Sequence, residues 1–259
     1  MGINPGRILA ITTNVFREVI RDRILYLVGL FAIFLAACTR LLPEIAATTE
    51  HKIMLDVGLA AMSLLGLVIA VFVGTGLVNK EIEKRTVLVL MAKPISRTEF
   101  IVGKHLGLSA VLAVLVAAMT AIYMGILSLS QIPYPATSIL VSSLFLFFQL
   151  SLITAVAIAF GVFTSSLLAT LLTFAVYLMG NFTRDLVTLG ALSKNPAFEQ
   201  LTRNLYLVLP DLSRLDLKNQ AVYGVLPSAS VLGANALYAL LYIVLLLAIS
   251  ILIFSRREF

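Results

Sequence analysis

The residues best able to do chemistry lie between positions 79 and 105, which read NKEIEKRTVLVLMAKPISRTEFIVGKH. Glu81, Glu83, Lys84, Arg85 and Thr86 precede an apolar insert, residues 87–91. Lys93, Pro94, Ile95, Ser96 and Arg97 follow it, then Gly103 and Lys104. A purely solvated loop needs no apolar insert, so the chemistry on offer is docking. Val87, Leu88 and Leu90 form a hydrophobic plug, and Glu83, Arg85 and Arg97 form a salt-bridging rim. The pattern predicts a short helix, a turn at Pro94, and a second helix running into an apolar run. Ser96 caps that second helix with Glu99 at the reciprocal position of a capping box. A plainer reading stands beside this one: a capped helix start with basic residues around it.

Catalytic and metal chemistry have no comparable support. The chain contains no HExxH pair and no GxSxG elbow, and its apolar runs hold no pair of aspartates. Its single cysteine, Cys38, permits neither an intrachain disulfide nor a cysteine-based metal site. Gly103-Lys104-His105 lacks the upstream glycine and the hydroxyl of a phosphate-binding loop, so ATP chemistry is not expected in this chain. The expectation is a chain that is not an enzyme and holds no cofactor of its own.

The elements that must position the 79–105 segment are membrane spans. Of 259 residues, 60% are apolar and 12% charged, with a mean hydropathy of +1.04. Soluble domains carry about 25% charged residues. This chain cannot coat a globule with polar surface, which excludes a soluble enzyme, a secreted disulfide scaffold and a disordered chain. The expected fold is an all-α polytopic membrane protein: six transmembrane helices with an N-terminal amphipathic interface helix. Apolar runs of spanning length fall at 24–42, 57–78, 106–130, 138–163, 167–182 and 232–254. No cleavable signal is expected, because the first residues lack a short apolar run with a small-residue cleavage site.

Basic residues set the orientation. With the N-terminus inside, inner segments hold twelve Lys and Arg and outer segments seven. That bias predicts both termini in the cytoplasm of a multi-pass inner-membrane protein. The net charge of +6 belongs to those loops and not to nucleic-acid binding. Residues 1–23 read as an amphipathic helix in the headgroup plane, either a topological anchor or a brace for a cytoplasmic partner. Residues 24–254 form the transmembrane domain, with the inner loop 79–105 and an outer loop 183–231, and 255–259 form a cytoplasmic tail. In the outer loop, Asn195-Pro196 starts a short helix whose stripe of Phe198, Leu201 and Leu205 rests on the membrane.

Apart from Arg40 at a membrane edge, the six runs contain no acidic, basic or histidine side chain, which argues against a proton-coupled carrier. Gln149 is the one amide deep in a run and reads best as a bond to a neighbouring helix. The third run carries small residues every fourth position: Ser109, Ala113, Ala117, Ala121 and Gly125, with Gly103 and Gly107 just before them. Small residues let helix backbones approach closely in lipid. The partner is either a neighbouring helix of the bundle or a second subunit.

The sequence NKEIEKRTVLVLMAKPISRTEFIVGKHLG resembles the signature of type-2 ABC transporter permeases. Glu81 or Glu83, Arg85, Thr86, Pro94, Ser96, Arg97, Gly103 and Lys104 match it, and Arg85 stands where many members have Gly. The resemblance covers most of the chain. It looks closest to permeases grouped with copper-enzyme maturation systems, from which no substrate follows. The resemblance implies a half-transporter that forms a homo- or heterodimer and binds a separate ABC ATPase subunit carrying ATP and Mg; membrane lipid is the other expected partner. The 79–105 loop would enter a cleft on that ATPase and couple its hydrolysis to transport, in the export direction. The competing expectations are a membrane anchor or assembly factor that transports nothing, and an uncoupled channel.

Overall fold

The computed structural model describes residues 4–45, 50–83, 96–193 and 195–256, and these are almost wholly helical with no strand among them. Helix α1 spans Pro5–Val19 and passes through a π-helical turn, Ile20–Ile24, into α2, Leu25–Ile45. Long helices follow: α3, Glu50–Glu83, and α4, Arg97–Leu129. Then come α5, Ala136–Phe163, and α6, Ser166–Asn181. Two shorter helices, α7 (Thr183–Leu192) and α8 (Pro196–Val208), pair with each other. A 3-10 turn, Leu212–Arg214, and α9, Lys218–Tyr223, lead into α10, Ala229–Arg256.

Helix α5 is the axis of the bundle. It packs against α3, α4, α6, α9 and α10. Its sequence is apolar on all sides, as a helix enclosed by others must be. Every residue from Leu150 to Ala159 is buried. Gln149 donates from Nε2 to Asn181 Oδ1 of α6 at 3.3 Å, the interhelical bond its depth called for.

Four helical stretches are long and apolar enough to cross a membrane: His51–Asn79, Arg97–Leu129, Ala136–Phe163 and Ala229–Arg256. The pair Ser166–Asn181 and Asp185–Leu192, bent by 69°, makes a fifth if counted as one span. Tyr26–Leu42 is a shorter apolar helix. The expected first and fifth spans therefore correspond to the shorter helix and the bent pair. The expected third span, 106–130, is the apolar part of a helix that begins at Arg97, just after the expected Ser96 cap, so Glu99, Lys104 and His105 ride on the same rod. Capping at Ser96 fixes that start, and apolar runs alone do not register it.

The 183–231 segment, expected to be an outer loop, is more deeply built than its sequence indicated. Asn195 caps α8, its Oδ1 accepting from Ala197 N at 3.0 Å, and Pro196 occupies the first turn. Thr202 is the residue α8 buries, facing Gly190 of α7, while Phe198 and Leu201 are exposed and Leu205 is half-buried. Beyond α8 the chain turns inward. Leu212, Leu215, Leu217 and Ala221 are buried in the core, and α9 packs on α3 and α5. Short elements of mixed polarity have no long periodicity, so this inward segment was not foreseen.

Candidate coupling site

The site is the neck from which the 84–95 segment emerges. Arg85, Thr86, Val87, Leu88, Leu90 and Pro94 lie outside the described residues, and Glu83 closes α3 with its side chain outside them too. The anchoring residues on either side are described. Lys104 Nζ on α4 donates to Glu81 Oε1 on α3 at 2.5 Å, and the lysine side chain is only 6% exposed. The ammonium also lies over the Phe100 ring, 5.6 Å from its centroid. The last turn of α3 and the second turn of α4 are thus held together by a charge-assisted bond.

The capping box is fully formed. Ser96 Oγ accepts from Glu99 N at 3.2 Å, and Glu99 Oε2 accepts from Ser96 N at 2.7 Å. Glu99 does more than close the box. Its Oε1 accepts from Asn4 N at 2.7 Å, and Arg7 Nη1 lies 3.8 Å from Oε2. The carboxylate is fully buried and joins the start of α1 to the start of α4. A few residues on, Gly103 and Gly107 receive α1. A Cβ on Gly103 would meet Ile11 Cβ at 2.8 Å, and one on Gly107 would meet Val15 Cβ at 2.6 Å. Thr12 Oγ1 adds a bond to the Gly103 carbonyl at 3.3 Å. These two glycines serve packing inside the chain.

Arg97, expected on a partner-facing rim, is bonded to the end of α10. Its Nη1 donates to the Phe254 carbonyl at 2.9 Å and to the Ser255 carbonyl. Phe100 and Phe254 stack at 5.6 Å with rings 15° apart. An arginine at a helix C-terminus satisfies carbonyls that have no intrahelical donor and complements the helix dipole. The neck is therefore gripped by α1, α3 and α10 together.

The remaining small-residue face is elsewhere. Ala113, Ala117, Ala121 and Gly125 are exposed, and the three alanines line a groove of about 530 Å³ with Leu140, Leu144 and Phe147 of α5. Phe198, Leu201 and Leu205 lie on α8, which packs on α7. Beyond α8, Asp211 forms a second knot. Its backbone N–H donates to Tyr238 Oη at 2.8 Å, and its carboxylate accepts from Ser213 Oγ at 2.5 Å and from Arg214 Nε at 3.0 Å. That carboxylate bond raises the arginine's pKa above its ordinary value. The ties of Glu99 to Asn4, of Arg97 to α10 and of Asp211 to Tyr238 had no sequence signal, since each bond involves a distant backbone group.

A chain of long apolar helices enclosing one another has the makeup of a multi-pass membrane protein. The family model described as ABC-2 family transporter protein matches residues 9–259, and the chain belongs to that family. The description names no subgroup and no cargo. No curated protein matches the chain significantly. Permeases of this family are membrane subunits that work with a separate ATPase subunit.

Proposed function

We propose that this chain is the permease subunit of an ATP-driven exporter, and that its 79–105 loop docks on the separate ATPase and transmits closure of that ATPase to the spans. The observation that carries the reading is the braced neck: Glu81 with Lys104, the Ser96–Glu99 box, and Arg97 on the end of α10. A docking loop can move helices only if its base is stiff, because a rigid-body shift must pass through without being absorbed. With Arg97 engaged inside the chain, Glu83 and Arg85 form the partner-facing rim around the plug of Val87, Leu88 and Leu90.

The same reading has six spans and both termini in the cytoplasm of the inner membrane. Support comes from the chain ends. Asn4 and Ser255 both bond to the first turn of α4, so the two ends share one side of the membrane. That requires an even number of crossings, and counting Tyr26–Leu42 and the bent pair with the four long helices gives six. Helix α1 lies at the interface and braces the neck, and a second permease copy completes the translocation path. The ATPase partner supplies ATP and Mg.

The test is co-purification. The chain, co-expressed with a Walker-type ATPase encoded in a neighbouring reading frame, should retain it in mild detergent. Val87→Asp with Leu88→Asp should release the ATPase and leave membrane insertion intact. Undiminished retention by the double variant would remove the loop from the coupling role.

A further inference from the structure

The chain has one cysteine, two histidines and seven methionines among its 259 residues. The cysteine, one of the histidines and one of the methionines border a single cavity of about 100 Å³: Cys38, His51 and Met54. Cys38 comes from α2, and His51 and Met54 come from α3, which packs on α2. His51 and Met54 are three residues apart and so share one face of α3. Exposure rises from the inside outward: Met54 is 2% exposed, Cys38 is half-buried and His51 is exposed. Cys38 carries a free thiol, and among the described residues no hydrogen bond or ion pair engages His51. His51 opens α3 and Glu81 closes it, about 45 Å of helix away. The cavity therefore lies at the end of α3 remote from the neck.

We propose that this cavity binds a thiophilic monovalent cation, Cu(I) or its analogue Ag(I), with the Cys38 thiolate, the Met54 thioether and the His51 imidazole as ligands. Thiolate and thioether are soft donors that select Cu(I), and imidazole suits copper as well. Among the described residues no carboxylate lines the cavity, whereas Mg and Ca require sets of oxygen ligands. Structural zinc takes four ligands from cysteine, histidine and carboxylate, and the cavity supplies two of that kind. Its volume is that of about three waters, enough for one ion and its bonds and too small for an organic ligand. Binding releases the thiol proton and needs no oxidant or reductant, because the ion enters and stays monovalent. A single cysteine excludes a site built from cysteines alone and leaves this mixed set open. In a chain with one cysteine and two histidines, packing alone gives no reason for both types to border the same small cavity. The ion would tie the end of α2 to the start of α3. This inference rests on the donor set and is independent of the ATPase.

The test is anaerobic titration of the full-length chain in detergent with Cu(I), buffered by a chromophoric chelator that reports the free ion. One ion per chain should bind, and X-ray absorption should show two sulfur neighbours and one nitrogen. Met54→Leu keeps the packing volume, and His51→Ala alters an exposed residue. Each should weaken binding by about 10–100-fold, the range for losing even an outer partner of a metal site. Cys38→Ser should abolish it. Ag(I) should protect Cys38 from N-ethylmaleimide in membranes holding the unaltered chain, and should fail to do so with His51→Ala and Met54→Leu combined. That readout needs no purified variant. Equal affinity in the unaltered chain, Met54→Leu and His51→Ala would overturn the proposal and leave Cys38 a lone thiol. Binding that survives Cys38→Ser, or displacement of Cu(I) by equimolar Zn(II), would overturn it as well.

Discussion

Lys104 and Glu81 stand 2.5 Å apart across the neck of a loop whose two ends are 23 residues apart in sequence. The lysine is almost wholly buried, and the glutamate keeps 23% of its side-chain exposure. The pair fixes the spacing of α3 and α4 just where the loop leaves them. Removing one partner strands the other charge at a poorly solvated site.

Glu81→Gln should therefore lower stability by about 2 kcal/mol, less than the 3–5 kcal/mol of a fully broken buried pair, because the glutamine amide oxygen can still accept from the Lys104 ammonium. Glu81→Gln with Lys104→Met should recover part of that loss. Thermal unfolding in detergent, run as a double-mutant cycle, measures the difference. Additive losses would mean that the two side chains are not coupled.

Glu99 serves α1 as well as α4, whereas Ser96 serves α4 alone. Ser96→Ala should cost about 1 kcal/mol, the usual value of an N-cap. Glu99→Ala should cost more and should also release α1. The readout is a cysteine at buried Val15, in a Cys38→Ser background: a thiol reagent should label it several-fold faster with Glu99→Ala than with Ser96→Ala, given about 1 kcal/mol for each further hydrogen bond lost. Equal labelling would show that α1 is held by its apolar face alone.

Tyr238→Phe removes the acceptor of the Asp211 N–H while keeping the ring under Arg214, which lies 5.0 Å from its centroid. The expected loss is about 1–3 kcal/mol, the cost of leaving a buried donor unsatisfied. Asp211→Asn, which gives up the charge but keeps the backbone bond, should cost less. Paired unfolding curves decide the order, and the reverse order would make the ion pair the stronger tie.

Reporter fusions after Phe259 and within 192–200 should report opposite compartments. Matching compartments would be incompatible with six spans. Leu201→Asp with Leu205→Asp should impair transport or assembly while insertion continues. Cysteines at Phe198, Leu201 and Leu205 that all react as freely as in water would leave α8 without a docked face.

What could be read from the sequence depended on the range of the interaction. Ser96 and Glu99 are three residues apart, so their box was visible as spacing, as was the Asn195-Pro196 start of α8. Long apolar runs marked where the rods would be. The far ends of the bonds were invisible: Glu99 reaches Asn4 across 95 residues, and Arg97 reaches Phe254 across 157. The partners there are backbone groups, which every residue type carries. The inward turn at 212–221 failed for a different reason, since a three-residue and a six-residue helix are too short to show a period. His105 was placed at a boundary because hydropathy smooths over single residues, whereas capping at Ser96 carries the helix past it.

The convergence of Asn4 and Ser255 on one turn of α4 makes the polypeptide nearly a closed ring. A ring can be cut elsewhere. A short flexible linker joining the ends, with new termini opened at residue 194 between α7 and α8, should give a permuted chain that still inserts, because compact folds whose ends lie together tolerate such rewiring. The order of synthesis would then be reversed: α8 to α10 would enter the membrane before α1 to α7. The neck would be assembled across the linker. Where the chain begins is, for this architecture, a matter of biosynthesis more than of shape.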